Sequence, residues 1–333
     1  MKKYLLAVFF IIFCLTIFGL YGINKNNSKG SLRLCEVARS VFYCPQYLAL
    51  ELGYFKDEGI EVELTTGNGS EKAMTSLLSG QSDVALLGSE MAMYVAQSGR
   101  SELAVLFAQL TKKDGSFLFG KEQNFSWKNL NGKKIISGRQ GGMPEMVFSH
   151  TLKNYEINAE VINNIQFDLI SGAFINGIGE YAVLFEPTAS EMELNSKGHI
   201  LASIGAVNPE IVYTVYASTE KFIKSNPKLI KNFVKAIYKA QTWLKNNTPE
   251  ESAQKMLPYF PKSNLKILAN AIRKYKEIGV WCENPVINKD SFNFTQELVV
   301  ESGKIDKKVD PEKIIDNSYA WACLAEGIES SER

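Results

Sequence analysis

Three places in the chain of 333 residues set charged or hydrogen-bonding side chains where a strand-like run gives way to a helix. In Ser137-Gly138-Arg139-Gln140-Gly141-Gly142-Met143-Pro144-Glu145, Gly141 and Gly142 let backbone N–H groups approach a ligand. Arg139 there offers a fork of donors to a carboxylate, sulfonate or phosphate. The plainer reading is a tight turn with an exposed arginine. Glu90, beside Ser89, and Glu186, before Pro187, each follow a strand and stand at the mouth of a helix. One carboxylate there simply offsets the positive helix end. Two facing a common cleft disfavour a small anion and favour an amine-bearing or cationic ligand. Phe42 and Tyr43 follow the first strand, where rings either stack on a planar ligand or pack the core. Tyr43 is the better candidate, because its hydroxyl suits a half-open site. Asn68, Ser70, Gln109 and Thr111 join the candidates through loop and hinge placement.

The elements that must position these groups alternate between strand and helix. Leu32 to Val37 reads as a strand, and Gln46 to Leu52 as a helix with Pro45 suited to its first turn. The strand Ile60 to Thr65 runs into Gly67-Asn68-Gly69-Ser70, with Ser70 placed to cap a helix through Leu78. Asp83 to Leu87 precedes the helix Met91 to Gln97, and Leu103 to Leu110 is a fourth strand. A hinge is expected near Thr111 to Ser116. Strands then fall at Val161 to Gln166, Tyr181 to Phe185, His199 to Ser203 and Ile211 to Ala217, the last carrying the chain back. Helices dominate thereafter. The clearest starts at Pro227, with Leu229, Ile230, Phe233, Val234, Ile237 and Tyr238 on one face. Lys228, Lys231, Lys235 and Lys239 lie opposite and read as a solvated face, and most of the four tryptophans read as packing residues. Consecutive strands that point their carboxyl ends at helix N-termini build the edge where open α/β sheets bind ligands.

Several chemistries are excluded. Gly115 to Lys121 nearly matches a phosphate-binding loop, but Glu122 stands where Ser or Thr is required. Gly177-Ile178-Gly179-Glu180 does not extend to a dinucleotide fingerprint, and no Gly-x-Ser-x-Gly or His-Glu-x-x-His occurs. His150 and His199 are the only histidines, neither lies near a cysteine in sequence, and no Cys-x-x-Cys exists, so no metal or other cofactor is expected. Cys35, Cys44, Cys282 and Cys323 allow three pairings if oxidised, or remain separate buried thiols.

Composition adds an address. With 45% hydrophobic residues, 37 basic and 36 acidic, the chain suits one large or two medium α/β domains and not a coil or disordered polymer. Met1-Lys2-Lys3 and the apolar run Tyr4 to Ile23 read as an export signal or an uncleaved membrane anchor, without a small-x-small cleavage site. Cys14 follows Ile11-Ile12-Phe13 deep in that run, so the usual lipidation pattern fails. Residues 1–30 hold four lysines and no acid, which leaves residues 31–333 slightly acidic and gives nucleic acid no basic surface.

The segment GYFKDEGIEVEL (residues 53–64), then LLSGQSDVALLGSE (77–90) and Leu184-Phe185-Glu186-Pro187 resemble the extracytoplasmic binding proteins of ABC importers, in the nitrate/sulfonate/taurine and thiamine-pyrimidine branch. The resemblance covers nearly all of the chain after residue 30. It implies a two-lobed α/β type II periplasmic-binding-protein fold: residues 1–30 leader or anchor, 31–112 first lobe, 113–212 second lobe, and 213–333 the return to the first lobe with C-terminal helices. A monomer outside the cytoplasm is expected, held at the membrane through its N-terminal segment or released after cleavage. An ABC permease and its ATPase are the implied partners, while Glu90, Glu186 and the aromatic pair Phe42 and Tyr43 favour a small aminated or aromatic heterocycle such as a thiamine-type pyrimidine as ligand. A sulfonate, nitrate or taurine binder is the alternative. Fungal pyrimidine synthases resemble the same family, yet their histidines and cysteine-rich stretch have no counterpart here, so a non-enzyme is expected. A membrane-tethered sensor would want a signalling module, whereas helices and a short polar tail end this sequence.

Overall fold

A computed structural model describes residues 30–327, so the apolar run Tyr4 to Ile23 and Cys14 lie outside the described residues. Strands β1 (Gly30–Glu36), β2 (Ile60–Thr66), β3 (Val84–Gly88), β4 (Ala104–Thr111) and β10 (Thr214–Thr219) form one sheet, ordered β2-β1-β3-β10-β4. The second contains β5 (Ser116–Gly120), β6 (Lys134–Ile136), β7 (Glu160–Ile162), β8 (Tyr181–Phe185) and β9 (His199–Ser203), ordered β7-β6-β8-β5-β9. Each sheet has a parallel core and one antiparallel member, β10 between β3 and β4, and β5 between β8 and β9. Burial explains the sequence patterns. Every residue of β3 and β4 is buried, as a strand covered on both faces requires, whereas edge strand β2 turns Glu61, Glu63 and Thr65 to solvent.

The chain passes between sheets twice, over residues 112–115 and 204–213. Side chains tie the two crossings together. The Gln109 amide donates to the carbonyls of Thr111 and Ile211 at 3.1 and 3.2 Å, and the hydroxyls of Thr111 and Thr214 are paired. The expected strand Val161 to Gln166 shortens to β7, and the return strand starts later than Ile211, because its first residues are used in the crossing.

Behind the first sheet, the helix Pro227–Asn246 buries Ile230, Phe233, Val234 and Ile237. Phe233 meets Tyr216, Phe55 and Phe107, with ring centroids 4.9, 5.1 and 5.8 Å apart. Its lysines are less free than expected: Lys235 and Lys239 converge on Glu58, and Lys231 pairs with Glu326. Trp127 stacks on Tyr155 and Trp281 is buried, but Trp321 is exposed. All four described cysteines are buried free thiols. No helix among the described residues is long and apolar enough to cross a membrane.

Glu186 belongs to the framework. Its carboxylate, 1% exposed, accepts from the Ser190 N–H at 3.0 Å and hydroxyl at 2.8 Å, at the start of the helix Thr188–Leu194. Lys274, on the helix Leu265–Ile278, closes an ion pair with it at 3.1 Å, so β8 is bolted to the helical layer.

Unfolding in urea measures both sets of contacts. Phe233→Ala should cost about 3–5 kcal/mol, because it empties a fully buried aromatic cluster. Glu186→Ala should cost about 2–3 kcal/mol, because it strands a partly buried ammonium and the donors of Ser190.

Candidate functional site

The carboxyl ends of strands from both sheets face a shared cavity of 360 Å³. From the first sheet come the segment after β1 with Phe42 and Tyr43, the turn after β2 with Asn68, Gly69 and Ser70, and Gly88 and Glu90 after β3. From the second come Gly138, Arg139 and Gly142 after β6, Phe167 and Asp168 after β7, and Phe185 at the end of β8. Tyr213 and Thr214 line the floor where the chain returns. Three helices begin at this edge: Ser70–Leu78, Glu90–Gln97 and Met143–Asn154. Ser70 is the first residue of its helix and not the cap. Gly69 occupies the cap position with φ +145°, and the Ser70 hydroxyl accepts the Gly88 N–H at 3.3 Å.

The aromatic wall is continuous with the core. Phe42 is 1% exposed and lies 5.3 to 5.8 Å, centroid to centroid, from Tyr213, Phe185, Tyr275 and Tyr43. Its carbonyl accepts the Trp281 indole N–H at 2.8 Å. Packing and lining are therefore one role for Phe42. Phe167 meets Phe185 at 5.5 Å and extends the wall on the side of the second sheet. Burial raises the Tyr43 phenol far above its ordinary pKa, so it stays neutral.

Glu90 is the exceptional polar group. It is 1% exposed, and loss of solvent pushes its carboxyl up to about 8, with the backbone dipoles of Glu90 itself and Met143 acting against the rise and Glu71 adding repulsion. Oε2 has no hydrogen-bond partner. The side chain folds back over Gly88, where a Cβ would stand 2.1 Å from Oε2, so any larger residue there would push the carboxyl group aside.

Arg139 and Gly142 line the cavity, but the guanidinium is half exposed and pairs across the cleft with Glu71 at 3.4 Å. Gly141 sits just outside, its carbonyl accepting from the Tyr94 hydroxyl at 2.8 Å. The remaining candidates are not brought to the cavity. Ser89 donates to the Val212 carbonyl, Gln109 and Thr111 are consumed in joining the crossings, and Glu186 turns to Ser190 and Lys274. Sequence reasoning passes over Phe185 for its neighbour Glu186. Successive strand side chains face opposite ways, so only one of the two could look into the cleft. Tyr213 escapes it because the residue reads as the interior of a strand, and Glu71, Phe167 and Asp168 carry no distinguishing signal. Among the described residues no group of three or more His, Cys, Asp or Glu is placed to hold a metal ion.

Residues 42–252 match the family model described as NMT1/THI5 like. YtlA of Bacillus subtilis (strain 168), provisionally named a binding protein, is 35% identical over 315 residues, covering 93% of this chain and 94% of its own. A ligand-binding component of an ABC-type import system from Staphylococcus aureus, solved with zinc bound, superposes with a TM-score of 0.73 at 15% identity, over 88% of this chain and 99% of that one. The alkanesulfonate-binding protein SsuA from Xanthomonas axonopodis pv. citri, bound to MOPS, gives 0.71 at 10% identity, over 86% and 98%. At such identities these two structures speak for the fold alone. Sequence and structure together make this chain a member of the NMT1/THI5-like family with the two-sheet α/β fold of the periplasmic binding proteins.

Proposed function

We propose that this protein is the extracytoplasmic solute-binding component of an ABC importer, which captures a small planar, amine-bearing heterocycle such as a thiamine-type pyrimidine between two lobes and delivers it to the permease. The observation that carries this reading is the cavity between the sheets, with aromatic rings on its walls and a buried carboxyl whose Oε2 is unpartnered. Its 360 Å³ lies within the range of about 300–1,000 Å³ common to small-molecule sites.

An oxyanion ligand is less well served. Glu90 stands beside the Met143 helix start, where an anion would dock, and Arg139 is held by Glu71. The site is read as a binder and not as an enzyme because it groups stacking surfaces with a single buried acid, with no nucleophile and base set against each other. The lobes, residues 31–112 with 213–333 and residues 113–212, hinge on the crossings and close through Arg139 to Glu71 and Tyr94 to Gly141. The apolar run Tyr4 to Ile23 supplies the export signal or tether.

A thermal-shift screen of the chain against thiamine-type pyrimidines, flavins, sulfonates, nitrate and amino acids tests the reading. A ligand at about a thousand times its Kd adds roughly 4 kcal/mol, a rise of several degrees. A rise confined to planar amine-bearing compounds is the expected outcome. A rise with sulfonates or nitrate alone keeps the transport role and overturns the ligand class. Silence throughout moves the weight to a sensor.

A further inference from the structure

Glu90 is buried in a wall that offers it nothing of opposite charge. Its helix begins directly after β3, so the side chain lies near the mouth of the Met143–Asn154 helix, and the backbone dipoles of Met143 and of Glu90 itself act on it. The charged and titratable groups around it come from every neighbouring element. They are Glu71 on the Ser70–Leu78 helix, Glu145 and Arg139 from the second lobe, Tyr94 on its own helix, and Tyr43 and Tyr213 from the segments beside it. Lys72 and Asp168 also line the cavity. The nearest guanidinium, Arg139, is turned to Glu71, so no cation is paired with Glu90 among the described residues.

An isolated carboxylate in such a place is costly, whereas a carboxylic acid offers one donor and one acceptor side by side. We infer that Glu90 enters the complex as the acid and shares its proton with a ring nitrogen of the ligand, while its carbonyl oxygen accepts from an amine on the adjacent ring carbon. The inference rests on the solute-binding reading above and narrows its ligand class. The ligand is a neutral heteroaromatic with an acceptor nitrogen next to an exocyclic amine, as in aminopyrimidines, not an alkylammonium ion and not a sulfonate. Whichever atom holds the shared proton, the pair carries no net charge into the buried site. The flat walls of Phe42, Phe167 and Phe185 fit the same ring.

The carboxyl, raised to about 8, sets the sign of the pH dependence. Below that pH the empty site already holds its proton, so binding exchanges none with solvent. Above it the carboxylate must gain a proton when a neutral ring binds, and affinity falls roughly tenfold per pH unit.

Isothermal titration of the full chain, in paired buffers of different ionisation heat at about pH 7 and 9.5, provides the test. The probe is the hydroxymethyl aminopyrimidine that forms half of thiamine, with benzylamine and ethanesulfonate beside it. Expected for the pyrimidine are no proton exchange at pH 7, uptake approaching one proton at pH 9.5, and affinity at least about tenfold weaker there. Glu90→Gln, whose amide keeps a donor beside an acceptor, should stay within about tenfold of wild type at pH 7 and lose the pH dependence. Glu90→Leu should lose about a hundredfold or more. Proton release at pH 7, a flat profile in wild type, or Glu90→Gln as damaging as Glu90→Leu overturns the shared proton while leaving the pyrimidine reading intact. Binding of benzylamine or ethanesulfonate without the pyrimidine overturns the ligand class and the shared proton together, but not the solute-binding role. No binding by any of the three overturns the inference along with the ligand class that it narrows.

Discussion

The insertion of β10 antiparallel between β3 and β4 is the constraint on which the rest of the molecule depends. A strand that returns to the middle of the first sheet forces the chain through a second crossing beside the first. The two crossings then share Gln109, Thr111 and Thr214 as fasteners. With both connections at one side, the sheets can only face each other across the ends of their strands. Those ends are where backbone N–H groups are unpaired and where helices begin. The cavity is thus a by-product of connectivity, and the side chains around it decide what it accepts.

Electrostatics inside the cleft are arranged by pre-emption. Surface pairs such as Arg139 with Glu71 contribute little stability, about 0–1 kcal/mol, yet this one sets a guanidinium against a carboxylate at the cavity mouth. Glu186 is likewise removed from consideration by Lys274 and Ser190. Glu90 alone among the acids proposed from sequence has neither cation nor solvent, and the backbone dipoles of Glu90 and Met143 offset only part of the cost of its burial. The aromatic wall is stiffened from behind, since Trp281 fixes the backbone of Phe42.

Much of this is legible in the residues. Tyr181–Phe185 and His199–Ser203 emerge with the limits that their hydrophobic runs suggest, and the glycine-rich loops lie at the edge of the cavity. What sequence does not resolve is direction. Phe185 and Glu186 are neighbours in the chain, but strand alternation sends one to the cleft and the other to the helical layer. Ser89, Gln109 and Thr111 do fall on loops and strand ends, yet their partners lie across a second crossing about a hundred residues away, a pairing invisible to local pattern. Lys231, Lys235 and Lys239 form a regular stripe, and only the fold brings Glu58 and Glu326 beneath them.

The four buried thiols have a consequence for how the protein matures. Burial raises the thiols of Cys44 and Cys282 far above their ordinary pKa, and that of Cys323 to about 11, so the folded chain exposes little reactive thiolate. In an oxidising compartment, the hazard of wrong cross-links is therefore confined to the interval between emergence of the chain and completion of its core. Among the described residues it is burial, and not a disulfide framework, that shields the thiols.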